Sequence, residues 1–259
     1  MCRLAAYLGK PLRLKHFLLE PPHSLYVQSW QPRELVYARL NADGYGFGWF
    51  DPEQHPAVYA STMPIWSDCN LPHLANTLTS PLWLAEIRSA TAGNPVHQCN
   101  TPPFFDNSLI YVHNGFIGEF HMTVRPRIQD YLSAAISADI NGNTDSEYLF
   151  ALLRQVIAHN PELPLEIAIK RMFDLIGDWV GEMPALLNMI VSDGRQLYAA
   201  RHALNHASPS LYYTVGDEAF PEAGVIASER FNGNENWQPV PDHHILVLDA
   251  GQQQELIAL

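Results

Sequence analysis

The chain has 259 residues, of which 47% are hydrophobic and 11% aromatic, with a formal net charge of -12 and an isoelectric point near 5.3. That length and composition describe a globular protein with a substantial core, and the acidic balance repels phosphate, which argues against nucleic acid and anionic membrane as partners. The three cysteines, Cys2, Cys69 and Cys99, have no CxxC or zinc spacing, which argues against a disulfide framework and against a structural metal.

No basic-then-apolar leader opens the chain and no apolar run approaches a membrane span, so the expected compartment is the cytoplasm. Residues 4–8 are a short apolar run ended by Gly9-Lys10-Pro11, the pattern of a buried first strand. Residues 16–30 are expected to form a loop over the core, and 32–40 a short helix. In the stretch 41–50 glycines alternate with aromatics, so one face of an extended segment is bare backbone that something approaches closely. A tight turn followed by an aromatic core strand fits the same stretch. Residues 57–61 look like its hairpin partner, 64–70 a loop and 71–79 a helix.

A strand over 82–88 delivers Arg88-Ser89-Ala90-Thr91 to a loop containing Gly93, Pro95, Pro102 and Pro103. The next strand, 108–113, ends at Asn114-Gly115. Helices are expected over 126–137, from Asp145 onward and over 165–180. The last carries Ile169, Met172, Phe173, Ile176 and Trp179 as an apolar stripe. Thr144 and Glu147 have the spacing of a capping box. From 185 the pattern returns to strands at 185–191, 196–200, 211–215, 224–227 and 244–248, with Ser192-Asp193-Gly194-Arg195 as a hairpin turn. Strands, then helices, then strands imply an α+β fold of two facing sheets with helices outside, and one domain is the simplest count.

Cys2 directly follows the initiator methionine. A small penultimate residue permits removal of Met1, after which Cys2 carries both a thiol and an α-amine that titrates at about pH 8. One residue then holds nucleophile and base together. The ordinary alternative is a small apolar residue that starts a buried strand.

A thiol attacking an amide carbonyl needs donors for the oxyanion. The Asn114 side-chain amide and the Gly115 N–H could supply them, although Asn-Gly is equally a hairpin signal. Arg88 ends an apolar strand, where a guanidinium can grip a carboxylate bidentately and Thr91 can add a hydroxyl. A surface arginine paired to a neighbouring acid is the plainer reading. Asp145 opens a helix, a place that favours carboxylates for capping alone, but it could hold a ligand ammonium. Taken together, Arg88 for a carboxylate and Asp145 for an amine describe a pocket for a free amino-acid head group.

Cys2, Arg88-Ser89-Ala90-Thr91, His113-Asn114-Gly115 and Thr144-Asp145-Ser146-Glu147 occur in the order and rough spacing of class II glutamine amidotransferases, which the chain resembles over nearly its whole length. These are N-terminal-nucleophile hydrolases with a four-layer αββα fold. Met1-Cys2-Arg3-Leu4, residues 41–49, Ile65-Trp66-Ser67-Asp68 and Ala227-Ser228-Glu229 are similar to the stand-alone branch. That branch includes the ergothioneine-biosynthesis enzyme that removes a γ-glutamyl group from a hercynylcysteine sulfoxide.

The resemblance implies a single domain over residues 2–259 with Met1 removed. Cys2 would attack a γ-glutamyl carbonyl with its own α-amine as base, and Asn114 with the Gly115 N–H would hold the oxyanion. Arg88 and Thr91 would bind the α-carboxylate, and Asp145 the α-ammonium. A γ-glutamyl thioester would then be hydrolysed to glutamate without a cofactor. Gly44 and Gly46 would let the backbone lie near the thiol.

Fused amidotransferases often carry an arginine just before the segment matching Asp43-Gly44, and a histidine in the loop after the arginine motif. Here the first position falls near Arg39 to Asn41 without a clean match. The second falls at Pro102, with His97 out of register.

The chain has neither GxxxxGK[ST] nor room for a synthetase, so an ammonia-consuming domain on the same polypeptide is not expected. The rival readings are a glutaminase subunit serving a separate synthetase partner and a non-catalytic γ-glutamyl-binding module. The 12 histidines invite a metal reading, but no HExxH occurs and His243-His244 would face opposite ways on a strand. Trp30, Trp66 and Trp237 lie in loop-like stretches that suit either a small-molecule pocket or an interface, including one between copies of the chain.

Overall fold

Strand-forming segments bracket a helical middle, and side-chain alternation along those strands sets the layers. The computed structural model describes residues 2–34, 40–90 and 95–259. The N-terminal part comprises β1 (Arg3–Arg13), α1 (Leu14–Leu18), α2 (Leu25–Gln28), β2 (Tyr45–Phe50), β3 (Pro56–Ser61), α3 (Leu71–Thr77) and β4 (Thr79–Ile87). The middle holds β5 (Phe104–Phe105), β6 (Ile110–Ile117), α4 (Val124–Tyr131), α5 (Ala134–Ala138), α6 (Asp145–His159) and α7 (Leu165–Val180). The remainder is β7 (Ala185–Ser192), β8 (Gln196–Arg201), β9 (Ala203–Leu204), β10 (Tyr212–Asp217), β11 (Phe220–Ala227), β12 (Gln238–Pro239), β13 (His244–Asp249) and β14 (Gln254–Ala258).

Among the described residues these strands make two antiparallel sheets, ordered β12-β10-β11-β1-β4-β2-β3 and β14-β13-β8-β7-β6-β5, with β9 beside β7. The inward faces meet through Leu4, Ala6 and Leu8 of β1, Leu82 and Leu84 of β4, Ile110 and Val112 of β6 and Ile190 of β7. The outward face of the first sheet, including Tyr7, Trp83 and Ala85, is covered by Leu14, Phe17, Leu25 and Ala75 from α1, α2 and α3. On the second sheet Tyr111, Leu187 and Met189 pack against Leu149, Leu152, Ile169, Met172 and Ile176 of α6 and α7. Each such side chain gains about 1.5–3 kcal/mol on leaving water, and that gain holds the helices to the sheets. The layers are therefore αββα, as expected. No helix among the described residues is long and apolar enough to cross a membrane.

Four local expectations are corrected. β1 does not stop at Gly9-Lys10-Pro11; a register shift between Leu8 and Leu12 absorbs those residues and the strand resumes to Arg13. Residues 16–30 include two short helices, held by burial of Phe17, Leu18 and Leu25 and by Ser24 capping the Val27 N–H. The helix expected over 126–137 is broken at Leu132-Ser133, where Gln155 Oε1 accepts the Ser133 N–H at 2.7 Å. Asn114-Gly115 is not a turn: β6 runs on to Ile117, with Asn114 opposite Asn188 and Gly115 opposite Leu187. The helix expected over 32–40 falls largely on 35–39, outside the described residues.

The bare face of 41–50 is approached closely, but not by the thiol. A Cβ on Gly46 would lie 2.2 Å from the Pro102 carbonyl and 2.8 Å from that of Tyr59, and one on Gly48 would lie 2.9 Å from Ile110. These glycines admit the 98–103 loop and β6. Gly46→Ala therefore forces backbone atoms apart and is expected to cost about 1–3 kcal/mol. Urea unfolding checks this: the midpoint should fall at constant slope, and an unchanged midpoint would contradict the contact.

Candidate active site

Along four neighbouring strands the inward positions are apolar until one end of the seam, where all four turn polar. On β1 the series Leu8, Ala6, Leu4 ends in Cys2, and on β4 Leu82 and Leu84 give way to Glu86 and then Arg88. On β6 Ile110 and Val112 lead to Asn114, and on β7 Ile190 leads to Asn188. Pairing of Leu4 with Glu86 and of Asn114 with Asn188 brings these ends together, and the His113 N–H donates to Glu86 Oε2 across the seam at 3.2 Å.

The residues behind Cys2 hold it in place. The Leu4 N–H donates to Ser228 Oγ at 3.1 Å, and the Ser228 N–H to the Leu4 carbonyl at 2.9 Å. Arg3 points to the opposite face of β1, fully buried, with Nε 3.0 Å from Glu229 Oε1 and Nη2 donating to the Glu34 carbonyl at 3.2 Å. Glu229 also meets His23 Nε2 at 2.7 Å and accepts the N–H groups of Arg33 and Glu34 at 2.8 and 3.0 Å. Burial opposes the charge on Glu229, but His23, the two N–H groups and Arg3 together hold its carboxyl below the usual range. This explains Ala227-Ser228-Glu229 physically: the segment clamps the start of the chain.

Cys2 Sγ lies 3.9 Å from the Ser89 carbonyl, and the Glu86 carboxyl reaches the thiol. Burial first, and then the charge of Glu86, push the thiol up. Burial likewise pushes Glu86 up to about 8, against the pull of the Cys2 thiol as a hydrogen-bond donor, the His113 N–H and Arg88. Asn114 is fully buried, and neither its side-chain oxygen nor its nitrogen has a partner among the described residues. Leaving such an amide unpaired costs about 1–3 kcal/mol, so its donor is available for a ligand. Gly115 beside it is obligatory for another reason: a Cβ there would sit 1.7 Å from the Leu186 carbonyl.

Arg88 is buried, and among the described residues its guanidinium makes only long contacts of 3.4 and 3.5 Å, both to the Pro95 carbonyl. Its backbone is gripped by the 41–44 segment. The Arg88 N–H donates to Gly44 at 2.8 Å, the Asp43 N–H to Arg88 at 3.0 Å, and the Ala90 N–H to Asp43 Oδ2 at 2.8 Å. Gly44 turns at φ +117°, a conformation that favours glycine. Thr91 lies outside the described residues, as does Arg39.

Asp145 opens α6 and accepts N–H groups from Ile117 at 3.0 Å and Ser146 at 2.8 Å. His113 Nε2 faces the Leu186 carbonyl at 3.0 Å, which only accepts, so Nε2 carries the proton and Nδ1 takes the Ser146 hydroxyl at 2.9 Å. Burial lowers the His113 ring despite Asp145 nearby, keeping this link neutral. The capping box is half made: Thr144 Oγ1 accepts the Glu147 N–H, but the Glu147 carboxylate turns to Asn141 and Gly142. His97 caps the turn that follows it, its Nδ1 accepting the Cys99 N–H at 3.2 Å.

Asp51, Glu53 and His55 each bring a ligand atom within 4.8 Å of the others at the β2–β3 turn, where Asp51 Oδ1 accepts the Glu53 and His55 N–H groups and so shapes the turn. His243 lies outside β13 at φ +56°, so it does not alternate with His244; its ring meets His202, Nδ1 to Nδ1 at 2.9 Å.

The structure thus gathers Cys2, Arg88, Asn114 and Gly115 at one end of the seam, with Asp145 joined to β6 through Ile117. Sequence reasoning missed Glu86, although a carboxylate following Leu82 and Leu84 on an inward strand face was a visible signal. Arg3, Glu229 and His23 had no such signal, because their partners are about 200 residues apart.

A sequence model of the class-II glutamine amidotransferases matches residues 20–223. The γ-glutamyl-hercynylcysteine sulfoxide hydrolase of Mycolicibacterium smegmatis is 29% identical over 96% of this chain and 97% of its own length. That of Mycobacterium tuberculosis is also 29% identical, over 95% and 92%. Among solved structures, a class-II glutamine aminotransferase domain protein from Silicibacter pomeroyi superposes with a TM-score of 0.70 at 26% identity, covering 99% of this chain and 100% of that one. Glutamine phosphoribosylpyrophosphate amidotransferase from Bacillus subtilis shares the fold at a TM-score of 0.69 and 13% identity, over 99% of this chain and 49% of its own.

Glu229→Gln leaves Arg3 buried without a counter-charge and is expected to cost about 3–5 kcal/mol. Because folding depresses the Glu229 carboxyl, the parent's stabilisation is present above the ordinary glutamate range and fades as pH falls through it. Thermal melts against pH check both points: the variant should melt lower at neutral pH and converge on the parent in acid.

Proposed function

The chain belongs to the class II glutamine amidotransferases, and on that premise we propose that it hydrolyses a γ-glutamyl amide through a thioester on Cys2. The observation that carries this reading is the buried, unpartnered Asn114 amide at the same end of the seam as Cys2. While Met1 is attached the Cys2 nitrogen is an amide and the thiol is held protonated. Removing Met1 frees an α-amine on the same residue that can take the thiol proton.

The thiolate attacks the γ-carbonyl, and Asn114 with the Gly115 N–H stabilises the oxyanion in a water-poor seam. The Arg88 guanidinium, weakly engaged by Pro95, turns to the α-carboxylate, to which this reading also assigns the Thr91 hydroxyl. Asp145 takes the α-ammonium with the lone pairs its two N–H donors leave free. Loss of the amine leaves a γ-glutamyl thioester, and water releases glutamate. Residues 2–259 act as one domain, since the inter-sheet layer draws on strands from both ends of the chain, Leu4 and Leu248 included.

The substrate favoured is a γ-glutamyl conjugate, with γ-glutamyl-hercynylcysteine sulfoxide the first to assay, because the relatives that carry that name match this chain over nearly all of their length. The compartment this reading assigns to the reaction is the cytoplasm.

Steady-state assays on that conjugate and on glutamine test the reading. Cys2→Ala should abolish turnover while retaining ligand binding, and Asn114→Ala should lower kcat by about 10²–10³-fold with KM little changed. Arg88→Lys, which loses the bidentate grip, should act mainly by raising KM. Turnover that persists in Cys2→Ala would overturn the proposal. Glutamine cleavage that appears only with an added synthetase would identify a glutaminase subunit instead.

A further inference from the structure

Glu86 has no part in that chemistry, yet it sits against the reacting sulfur. It occupies an inward position in register with Leu4, and its side chain is buried. The ion pairs of the described residues leave it out. The charged and titratable groups facing it are Cys2 just ahead of β1 with the α-amine that removal of Met1 frees, Arg88 at the end of its own strand, Tyr111 and His113 from β6, and Asp145 from α6. The His113 N–H, a pure donor, takes one lone pair of Oε2 at 3.2 Å. The His113 N–H, the Cys2 thiol as donor and the charge of Arg88 oppose burial, but burial is the larger effect and favours the uncharged form. A carboxylic acid has one O–H to give, and the Cys2 sulfur is the neighbour placed to receive it.

We propose that Glu86 works as a neutral acid against the Cys2 sulfur, its O–H donating a hydrogen bond to the thiolate as it attacks and again as the thioester opens. This rests on Cys2 being the nucleophile. Glu86 keeps its own proton throughout. The S–H proton passes to the freed α-amine, the C–S bond forms, and the C–N bond breaks as the α-ammonium protonates the departing amine. Water then adds and gives a proton to the α-amine. The C–S bond breaks, and the ammonium returns that proton to sulfur. An ionised Glu86 has the opposite effect, since a carboxylate there resists a second buried anion. Glu86 is thus an alkaline off-switch, set by its ionisation at about 8.

The test compares the parent with Glu86→Gln, which keeps a donor but cannot ionise, and Glu86→Leu, which does neither. Two readouts are followed against pH: γ-glutamyl hydrolysis, and iodoacetamide alkylation at Cys2 located by peptide mass, because Cys69 and Cys99 are also free. The parent's kcat/KM should fall above about pH 8. Glu86→Gln should stay within about threefold of the parent at neutral pH and lose the alkaline fall, while Glu86→Leu should lose about tenfold in kcat with KM unchanged. Alkylation of Cys2 at alkaline pH should be several-fold faster in Glu86→Gln than in the parent.

Profiles of Glu86→Gln that superimpose on the parent's in both readouts overturn the proposal. If the parent cleaves no γ-glutamyl substrate, the hydrolysis reading fails, and the alkylation profiles still decide Glu86. Infrared difference spectra of the parent need no variant. A protonated buried carboxyl band that disappears as pH passes about 8 supports the neutral acid, and absence of that band overturns it.

Discussion

The register of β1 is the constraint on which the rest of the structure depends. Alternate residues of this strand face different layers, so Arg3 enters the helical side of its sheet while Cys2 and Leu4 enter the seam. A slip of one residue would send the thiol to the wrong face. Two devices prevent it: the paired hydrogen bonds between Leu4 and Ser228, and the buried Arg3–Glu229 pair. Burying such charges repays its desolvation only when the remaining donors and acceptors are satisfied; Glu229 meets that condition with His23 and two backbone N–H groups, but Arg3 Nη1 has no partner among the described residues. The ion pair therefore does more for placement than for net stability.

The acids around the chain start are handled in different ways. Glu229 collects enough donors to stay charged in the interior, and Asp145 accepts two N–H groups at a helix N-terminus, where a carboxylate is favoured. Glu86 has the Cys2 thiol, one N–H and the charge of Arg88 on its side but no ion pair among the described residues, so burial wins and its charge is suppressed. Two like charges about 4 Å apart interact by about 4 kcal/mol at an effective dielectric of ~20, enough to keep a thiolate and a carboxylate from coexisting there. Burial that its donors do not offset separates Glu86 from Glu229, whose donors and cation do.

Much of the layering was legible because it follows from local periodicity. The apolar stripe of α7 and the run of β7 are visible in a window of ten or so residues, and both fall where expected. Boundaries failed where tertiary contacts decide: β1 continues through Gly9 and Pro11 because β4 pairs with it again beyond the shift, and Asn114-Gly115 stays extended because β7 lies alongside. Of the candidate residues, Cys2, Arg88, Asn114, Gly115 and Asp145 were found from residue type and order, and the seam brings the first four to one end. The Arg3–Glu229–His23 cluster joins opposite ends of the chain, and no local pattern announces it.

Family membership and fold follow from the match over residues 20–223 and from the αββα layers, whereas the assignment of chemistry to Cys2 is a proposal that joins that membership to the geometry of the seam. Its most direct test is mass spectrometry of the active protein before and after reaction with an electrophilic glutamine analogue. The account expects protein lacking Met1, inactivated by a single adduct on Cys2. Active protein that retains Met1, or inactivation by an adduct on Cys69 or Cys99 with Cys2 unmodified, would contradict it.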